Sequence, residues 1–442
     1  MSSKESTPAD IVRPTKDTSR WYYLIGGVAT LVALVWLVGW GWQLENGLIV
    51  TWLADWGSGG VTWGLYIGAF MWWVGIAHGG IILSAVVRLF GIDRYRPVAR
   101  LAELLTIGAL GMSGLYIIIH TSRPDRLVSS VIPAYTWTVQ TSPLTWGIAV
   151  LVLYFVLTTT YLALTLRYDI HRLRDQLPDH FGPLYSIITV GYTEREDDIS
   201  QRVVWWLALG IIVLAPLLLH GGVIPWLFSL LPSMPGWRGA IQGPQFLSIA
   251  LTSAIAGVII VAATLRRAYD WDHILTDEML RGLTIWLGLF SLMFAWLQSQ
   301  QVISSVYAPT MDAGTVMAAK LDNPIYVVGI SLLTLTLIYV FAQTLRPSAF
   351  TPGRSVLASV FVLYATLSEQ VLFVVEGIEH PAFSLYEAVP GHYFPSPIEV
   401  ASVAGTLAMC TLFFLAVLKM FPVIELDAVE NNDSHDDEET TT

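Results

Sequence analysis

The sequence predicts an all-α integral membrane protein with about ten transmembrane helices. Of its 442 residues, 54% are hydrophobic and only 13% are charged, whereas soluble domains carry about 25% charged residues. The mean hydropathy is +0.60. Apolar runs of roughly 20 residues, the length needed to cross the hydrocarbon core of a bilayer, recur along the whole chain. These observations exclude an ordinary soluble protein.

The apolar runs divide the chain into a short N-terminal segment, a membrane domain and a tail. We expect a cytoplasmic segment at 1–20, a ten-helix membrane domain at 21–422, and an acidic, disordered tail at 423–442. A polar segment precedes the first apolar run, so no cleavable signal peptide is expected. The predicted spans are 21–43, 62–88, 99–120, 143–166, 203–222, 245–265, 280–300, 325–345, 355–377 and 397–419.

The distribution of Lys and Arg predicts the orientation. Cytoplasmic loops are enriched in both residues. With ten spans and a cytoplasmic N-terminus, nearly all of the 23 basic residues face the cytoplasm. The exceptions on the outer side are Arg123, Arg126, Arg238 and Lys320. Both termini are therefore predicted to be cytoplasmic, in the cell membrane.

Composition restricts the possible partners and cofactors. The net charge of −11 argues against nucleic-acid binding, which needs a basic face. Arg greatly outnumbers Lys, which suggests a salt-adapted source such as a haloarchaeon, with ordinary compositional drift as the alternative. A single cysteine, Cys410, cannot hold an iron–sulfur cluster, which usually needs four thiolates. Electron chemistry here requires another cofactor or another chain.

Ionisable side chains inside the spans are the first candidates for function, because they are costly in a membrane. Some have plain structural alternatives. His78 can be a packed histidine, Glu103 can form an interfacial ion pair, and His120 and His220 can be interfacial side chains. The full set is His78, Glu103, His120, His220 and Glu369, with Glu376, Glu379 and His380 near an outer helix end.

Two other classes of membrane protein remain open at this point. His120 and His220 on different helices could ligate a b-type haem, but a two-haem bundle needs four histidines at matching depths. His78 and His380 lie at other depths. A secondary transporter would gather its polar groups near the bilayer centre, whereas here they gather toward the outer end.

Six motifs, in order, resemble the NrfD/polysulfide reductase membrane-subunit family. The resemblance covers roughly 60–420 and is strongest to the ten-helix quinol-oxidising membrane subunit of alternative complex III. The motifs are "GIAHGG", "RLAELLT", "HTSRP", "SPLTWG", "MPGWRGAIQGP" and "YFPSPIEVASVAGTLAMCTLFFLAVLKMFPVIEL".

The resemblance implies two four-helix bundles, formed by helices two to five and six to nine, without haem in this chain. It implies a site for menaquinol or a related quinol near the outer face of the first bundle. It also implies a ferredoxin-like iron–sulfur subunit docked on the outer loops, and a molybdopterin-type or related large subunit. By motif, His120 and Arg123 belong to the quinol site, His78 to its polar interior, and Glu369 to a proton pathway in the second bundle.

The stretch "IIIHTSRPDR" at 117–126 agrees with a quinol site. Quinol oxidation releases two protons and needs a base near neutral pKa, which His120 supplies. Arg123 can keep His120 neutral by charge repulsion, and Asp125 limits the net field. The predicted quinol residues are His120, Arg123, Asp125, Trp137 and Trp146, with Tyr135 as a further aromatic wall. The predicted proton-pathway residues are His78, Glu103, His220 and Glu369, and no metal ligands are expected.

Two positions depart from the family pattern. The family motif "SPLxWD" ends here in Gly147, so a carboxylate near the quinol is missing. The seventh helix reads "WLQSQQV" where relatives often have a glutamate. The quinol chemistry is then expected to depend more on His120 and Asp125, and proton pumping through the second bundle is in doubt.

Overall fold

A computed structural model describes residues 7–51, 53, 63–126, 143–218, 224–231, 233–239, 241–307, 313–382 and 393–429. These parts of the chain are helical and contain no strand. Their ten long helices are α1 (Arg20–Asn46), α2 (Leu65–Leu89), α3 (Arg96–Thr121), α4 (Pro143–Arg172), α5 (Glu194–Leu218), α6 (Gln242–Tyr269), α7 (Asp277–Tyr307), α8 (Pro324–Leu345), α9 (Pro352–Glu379) and α10 (Pro397–Met420). Each overlaps one predicted span.

The long helices confirm the predicted fold class. Among the described residues, nine helices are long and apolar enough to cross a membrane, namely all of the ten except α5. The helix α5 occupies the place of the fifth predicted span and packs on α2 and α4. The protein is therefore a multi-pass, all-α protein of the cell membrane.

Capping residues set several helix ends. Ser396 precedes α10 in a capping box, in which the Ser396 hydroxyl accepts from the backbone N–H of Glu399 at 3.4 Å and the Glu399 carboxylate accepts from the backbone N–H of Ser396 at 2.9 Å. The Asn323 side chain accepts from the backbone N–H of Ile325 at 3.0 Å at the start of α8. Such side chains satisfy backbone N–H groups that have no partner within the helix.

The helices form two four-helix bundles, as the resemblance implies. In the first, α2 packs on α3 and α5, and α4 packs on α3 and α5. In the second, α6 and α8 each pack on α7 and α9. The bundles meet where α2 and α3 contact α6 and where α2 contacts α9. The flanking helix α1 lies against α10, which packs on α3 and α2.

The beginning of α1 and the end of α10 lie on the same face of the molecule. Lys419 Nζ donates to the carbonyl oxygens of Pro14 and Asp17, both at 2.8 Å. We call this face the inner face and the face at which α3 ends the outer face, following the predicted orientation. Which of them faces the cytoplasm remains a prediction.

The folded part of the chain continues beyond the predicted domain boundary at 422. Residues 423–429 pack against the inner end of the first bundle, with Val423, Ile424 and Leu426 at most 2% exposed. The disordered tail at 423–442 stays a prediction, while the structure buries the apolar side chains of 423–429 against the bundle. Residues 430–442 of the predicted tail lie outside the described residues.

Candidate functional site

His120 lies in the last turn of α3 at the outer end of the first bundle. The helix stops at Ser122, which has a left-handed backbone with φ of 48°. The imidazole is partly buried. Its Nδ1 is shielded from solvent and has no hydrogen-bond partner among the residues that the structure describes. A buried nitrogen without a protein partner is available to a bound molecule.

Gln43 of α1 holds the end of α3 in place. Its Nε2 donates to Ser122 Oγ at 2.7 Å and to the Ile119 carbonyl oxygen at 3.2 Å. The Tyr66 hydroxyl of α2 donates to Gln43 Oε1 at 2.5 Å. Gln43 is fully buried, so three helices are joined by hydrogen bonds directly beside His120.

Arg123 and Asp125 form an exposed ion pair just beyond α3. Arg123 donates twice to the Asp125 carboxylate, at 3.0 and 2.9 Å. The hydrogen bond from Arg123 lowers the pKa of Asp125 below its ordinary value. Since Asp125 compensates the guanidinium charge, the repulsion that Arg123 exerts on a protonated His120 is weakened.

Four predicted aromatic and histidine positions lie outside what the structure describes. Residues 127–142, which include Tyr135 and Trp137, and residue His220 are not described. The helix α4 is described from Pro143, but the side chain of Trp146 is not. Their roles stay predictions.

His78 lies at the centre of α2, where the two bundles meet. It is fully buried and stacks on Tyr154 of α4, with ring centroids 4.9 Å apart. The Tyr154 hydroxyl lies 3.3 Å from His78 Nε2. A Cβ on Gly79 would lie 2.2 Å from the Ala250 carbonyl oxygen of α6, so close helix packing fixes the position of this turn.

His78 and His120 do not form a haem-ligating pair. About 13 residues separate His78 from the outer end of α2, which corresponds to a depth of roughly 20 Å at 1.5 Å per residue. His120 lies at the outer end of α3. Two axial ligands of one haem need matching depths, so these two described histidines do not provide them.

Glu103 is buried in an ion-pair network at the inner end of the first bundle. Arg88 Nη2 donates to Glu103 Oε1 at 2.9 Å, and Ser84 Oγ donates to the same oxygen at 2.6 Å. Arg88 also donates to Glu425 in residues 423–429, which we call the C-terminal segment. Glu103 thus forms an ion pair, which is the structural alternative given for it above, and its partner is Arg88.

Arg100 faces α4 and the C-terminal segment instead. It forms a fully buried ion pair with Asp169 of α4. Its Nη1 also donates to the carbonyl oxygens of Pro422 and Ile424, both at 3.3 Å. Burial and the neighbouring Glu425 raise the pKa of Asp427 above its ordinary value. This network joins the segment to the first bundle.

Glu369 pairs with a buried lysine in the second bundle. Lys320 Nζ donates to Glu369 Oε1 at 2.6 Å, and both side chains are 4% exposed. Gln245 Nε2 donates to the same Glu369 oxygen at 2.9 Å and to Gln298 Oε1 at 3.0 Å. We call these four residues the second-bundle cluster. Gln298 belongs to "WLQSQQV", so the side chain that joins Gln245 and Glu369 from α7 is an uncharged glutamine.

A cavity of about 330 Å³ borders the second-bundle cluster near the outer face. It is lined by Lys320, Gln245, Arg238 and Glu376, among others. Glu376 is one of three groups whose potential ligand atoms lie within 4.8 Å of one another, with Glu379 and His380. Asn323 Nδ2 donates to Glu376 Oε1 at 3.0 Å, and Tyr393 N donates to Glu379 Oε1 at 2.8 Å. One carboxylate oxygen of each glutamate is therefore engaged by a hydrogen bond within the protein.

Sequence reasoning missed the partners of the buried carboxylates. Lys320 was counted only as an outer-loop charge, and Glu425 was assigned to the tail. A signal was present for Lys320, because it is the single basic residue in the outer segment 308–323, which also contains Asp312 and Asp322. For Glu425 the only signal was the apolar pattern of the flanking residues.

The fold and these clusters define a class of protein. It is a multi-pass membrane protein whose described residues form two helical bundles, with a histidine at the outer end of one bundle and a buried Lys–Glu pair in the other. The sequence matches the NrfD, polysulphide reductase family over residues 57–382. The chain belongs to the NrfD family.

Three relatives are similar over much of their length. A Halobacterium salinarum protein, provisionally named as a membrane subunit of dimethyl sulfoxide reductase, is 26% identical over 90% of each chain. A selenate reductase subunit of Mesobacillus selenatarsenatis is 23% identical over 59% of this chain and 61% of its own. The Hdr-like menaquinol oxidoreductase integral membrane subunit of Archaeoglobus fulgidus is 21% identical over 84% of this chain and 88% of its own. The organism of the Halobacterium relative agrees with the prediction of a haloarchaeal source.

Proposed function

We propose that this chain is the quinol-reacting membrane subunit of a respiratory oxidoreductase complex. One relative is provisionally named as a membrane subunit of dimethyl sulfoxide reductase, and another is named as a subunit of selenate reductase. The third is named as the integral membrane subunit of a menaquinol oxidoreductase. In this proposal the chain exchanges electrons between the quinone pool and an iron–sulfur partner. A coupling to proton translocation is part of the same proposal.

The observation that carries the proposal is the position of His120. A quinol hydroxyl can donate to the buried Nδ1, which has no partner among the described residues. Gln43 and Ser122 fix the backbone that carries the ring. Oxidation converts the quinol to the quinone and releases two protons and two electrons. His120 accepts a proton, and the electrons leave through the partner, because the single Cys410 cannot hold a cluster.

Replacement of His120 tests the proposal. General-base catalysis contributes about 10²–10⁴-fold. His120→Ala should therefore lower quinol oxidation by about two orders of magnitude or more in membranes. His120→Gln retains a hydrogen-bonding group but cannot take up the proton, so it should be nearly as damaging.

Complex abundance is measured in parallel by immunoblotting, and His78→Gln serves as the internal comparison. We expect His78→Gln to retain more activity. Wild-type turnover by a fully assembled His120→Ala complex would refute the assignment, and "IIIHTSRPDR" would then be an interfacial anchor or a docking patch.

The partner is proposed to dock on the outer loops at 121–142, 223–244 and 378–396. Electrons released beside His120 need a short path, and this residue lies at the outer end of α3. Cross-linking of the intact complex should connect an iron–sulfur subunit to these loops. Cross-links to the inner loop at 167–202 instead would contradict the docking face. A molybdopterin-type or related large subunit is proposed to bind through the iron–sulfur subunit.

A further inference from the structure

An apolar groove runs along the outside of the protein between the flanking helices and the second bundle. It has a volume of about 350 Å³ and borders α1, α2, α6 and α10. Its lining is almost wholly apolar and includes Ile76, Val261, Leu407 and Phe414. Along α6 it extends from Gly257 to Tyr269, a rise of about 18 Å at 1.5 Å per residue. This is close to one leaflet of a hydrocarbon core about 30 Å thick.

The inner end of the groove opens into a polar pocket of about 360 Å³. Trp21, Ala268 and Tyr269 line both cavities, so the two adjoin each other. The pocket lies where α1 begins and α6 ends, and the shared aromatic rings are typical of the membrane interface. The charged side chains that line it are Arg13, Asp17, Arg20, Arg267 and Asp270.

Two of the three arginines have no carboxylate partner among the described residues. Arg13 is committed to Asp17 at 3.5 Å and to the Tyr269 carbonyl oxygen at 3.2 Å. The guanidinium carbons of Arg20 and Arg267 instead lie 5.7 and 5.6 Å from the ring centroid of Trp21. Cation–π contact leaves the N–H donors of a guanidinium free to bind an anion.

We propose that the groove and the pocket together bind one anionic glycerophospholipid. A single hydrocarbon chain occupies the groove, and the phosphate accepts hydrogen bonds from Arg20 and Arg267. Arginine favours phosphate through its planar, bidentate donors, and basic pockets between helices at the inner membrane surface bind anionic headgroups. The bound lipid joins α1 and α10 to the second bundle. This inference does not depend on the proposed quinol chemistry.

The experiment uses the full-length chain, purified in detergent and stripped of lipid. It is titrated with dioleoyl phosphatidylglycerol or with dioleoyl phosphatidylcholine, and bound lipids are counted by native mass spectrometry. We expect the wild-type protein to retain one phosphatidylglycerol in preference to phosphatidylcholine. The double variant Arg20→Gln and Arg267→Gln should bind phosphatidylglycerol about tenfold more weakly. Arg346→Gln, an exposed inner-face arginine at the end of α8, should bind as the wild type does.

A second variant tests the hydrocarbon chain separately. Leu407 is 41% exposed, so Leu407→Trp can fill the groove without disturbing the core. It should weaken both lipids. Equal retention of the two lipids by the wild type, or unchanged binding by the double arginine variant, would overturn the proposal. Displacement of phosphatidylglycerol by millimolar inorganic phosphate would also overturn it and would indicate a phosphate pocket.

Discussion

At the scale of single residues, buried charges in this protein are compensated by partners from distant parts of the chain. Lys320 and Glu369 are 49 positions apart and form one ion pair. Arg88 and Glu425 are 337 positions apart. The sequence identified Glu103 and Glu369 as unusual, since charge within a span is costly. It could not identify their partners, because pairing depends on helix register and on tertiary packing.

The Lys320–Glu369 pair leads to a prediction about stability. Lys320→Met would leave the Glu369 carboxylate buried without a cation, and breaking a buried pair costs about 3–5 kcal/mol. We expect a loss of this size in the free energy of unfolding, measured by denaturant titration in detergent. The double variant Lys320→Met with Glu369→Gln should recover much of it, because no buried charge remains.

Arg238→Met provides the matched control for this pair. Arg238 borders the same cavity but is exposed, so its loss should change stability little. If Lys320→Met destabilised the protein no more than Arg238→Met, the ion pair would not support the second bundle.

At the scale of helices, the sequence predicted the elements well. All ten predicted spans overlap long helices, and nine of these helices are long and apolar enough to cross a bilayer. The inner connection between α4 and α5 contains the short helix Gly182–Ile188. The contacts between helices could be predicted less well from the sequence. Glycines such as Gly79 and Gly111 look alike in sequence and differ only in the atoms that surround them.

Those two glycines give a prediction about helix packing. A Cβ on Gly79 would lie 2.2 Å from the Ala250 carbonyl oxygen, so α2 and α6 would have to separate. Gly79→Ala should therefore destabilise the protein by about 1–3 kcal/mol, the usual cost of overpacking. At Gly111 of α3 a Cβ would meet nothing within 4 Å.

Gly111→Ala is the control for helix propensity, because alanine is the better helix former. It should leave the melting temperature in detergent unchanged or slightly raised, while Gly79→Ala lowers it. Equal melting temperatures for the two variants would show that the close contact between α2 and α6 does not contribute to stability.

At the scale of the whole molecule, the described segments nearest the two chain ends, 7–17 and 422–429, both contact the inner face. Lys419 binds carbonyl groups of the N-terminal segment, and Arg88 and Arg100 bind residues 422–425. The acidic composition after 422 predicted a solvated tail, although the segment also contains apolar residues. The ordered length of such a segment depends on two arginines more than 300 positions earlier, which local composition does not reveal.

Truncation of the C-terminal segment tests its contribution to the assembled protein. A chain ending at Pro422 loses Glu425 and the Ile424 carbonyl oxygen, so Arg88 and Arg100 each lose a buried partner. Removal of one member of a buried pair is strongly destabilising, by about 3–5 kcal/mol, and the melting temperature in detergent should fall clearly. A chain ending at Val429 retains these contacts and removes only the polar and acidic residues 430–442, so it should melt as the full-length protein does. Glu425→Gln, which removes the charge but leaves the apolar contacts of the segment, should have a melting temperature between those of the two truncated chains.

Identical melting of both truncated chains would mean that the buried network does not hold the first bundle together, and that the segment packs on a bundle that is already stable.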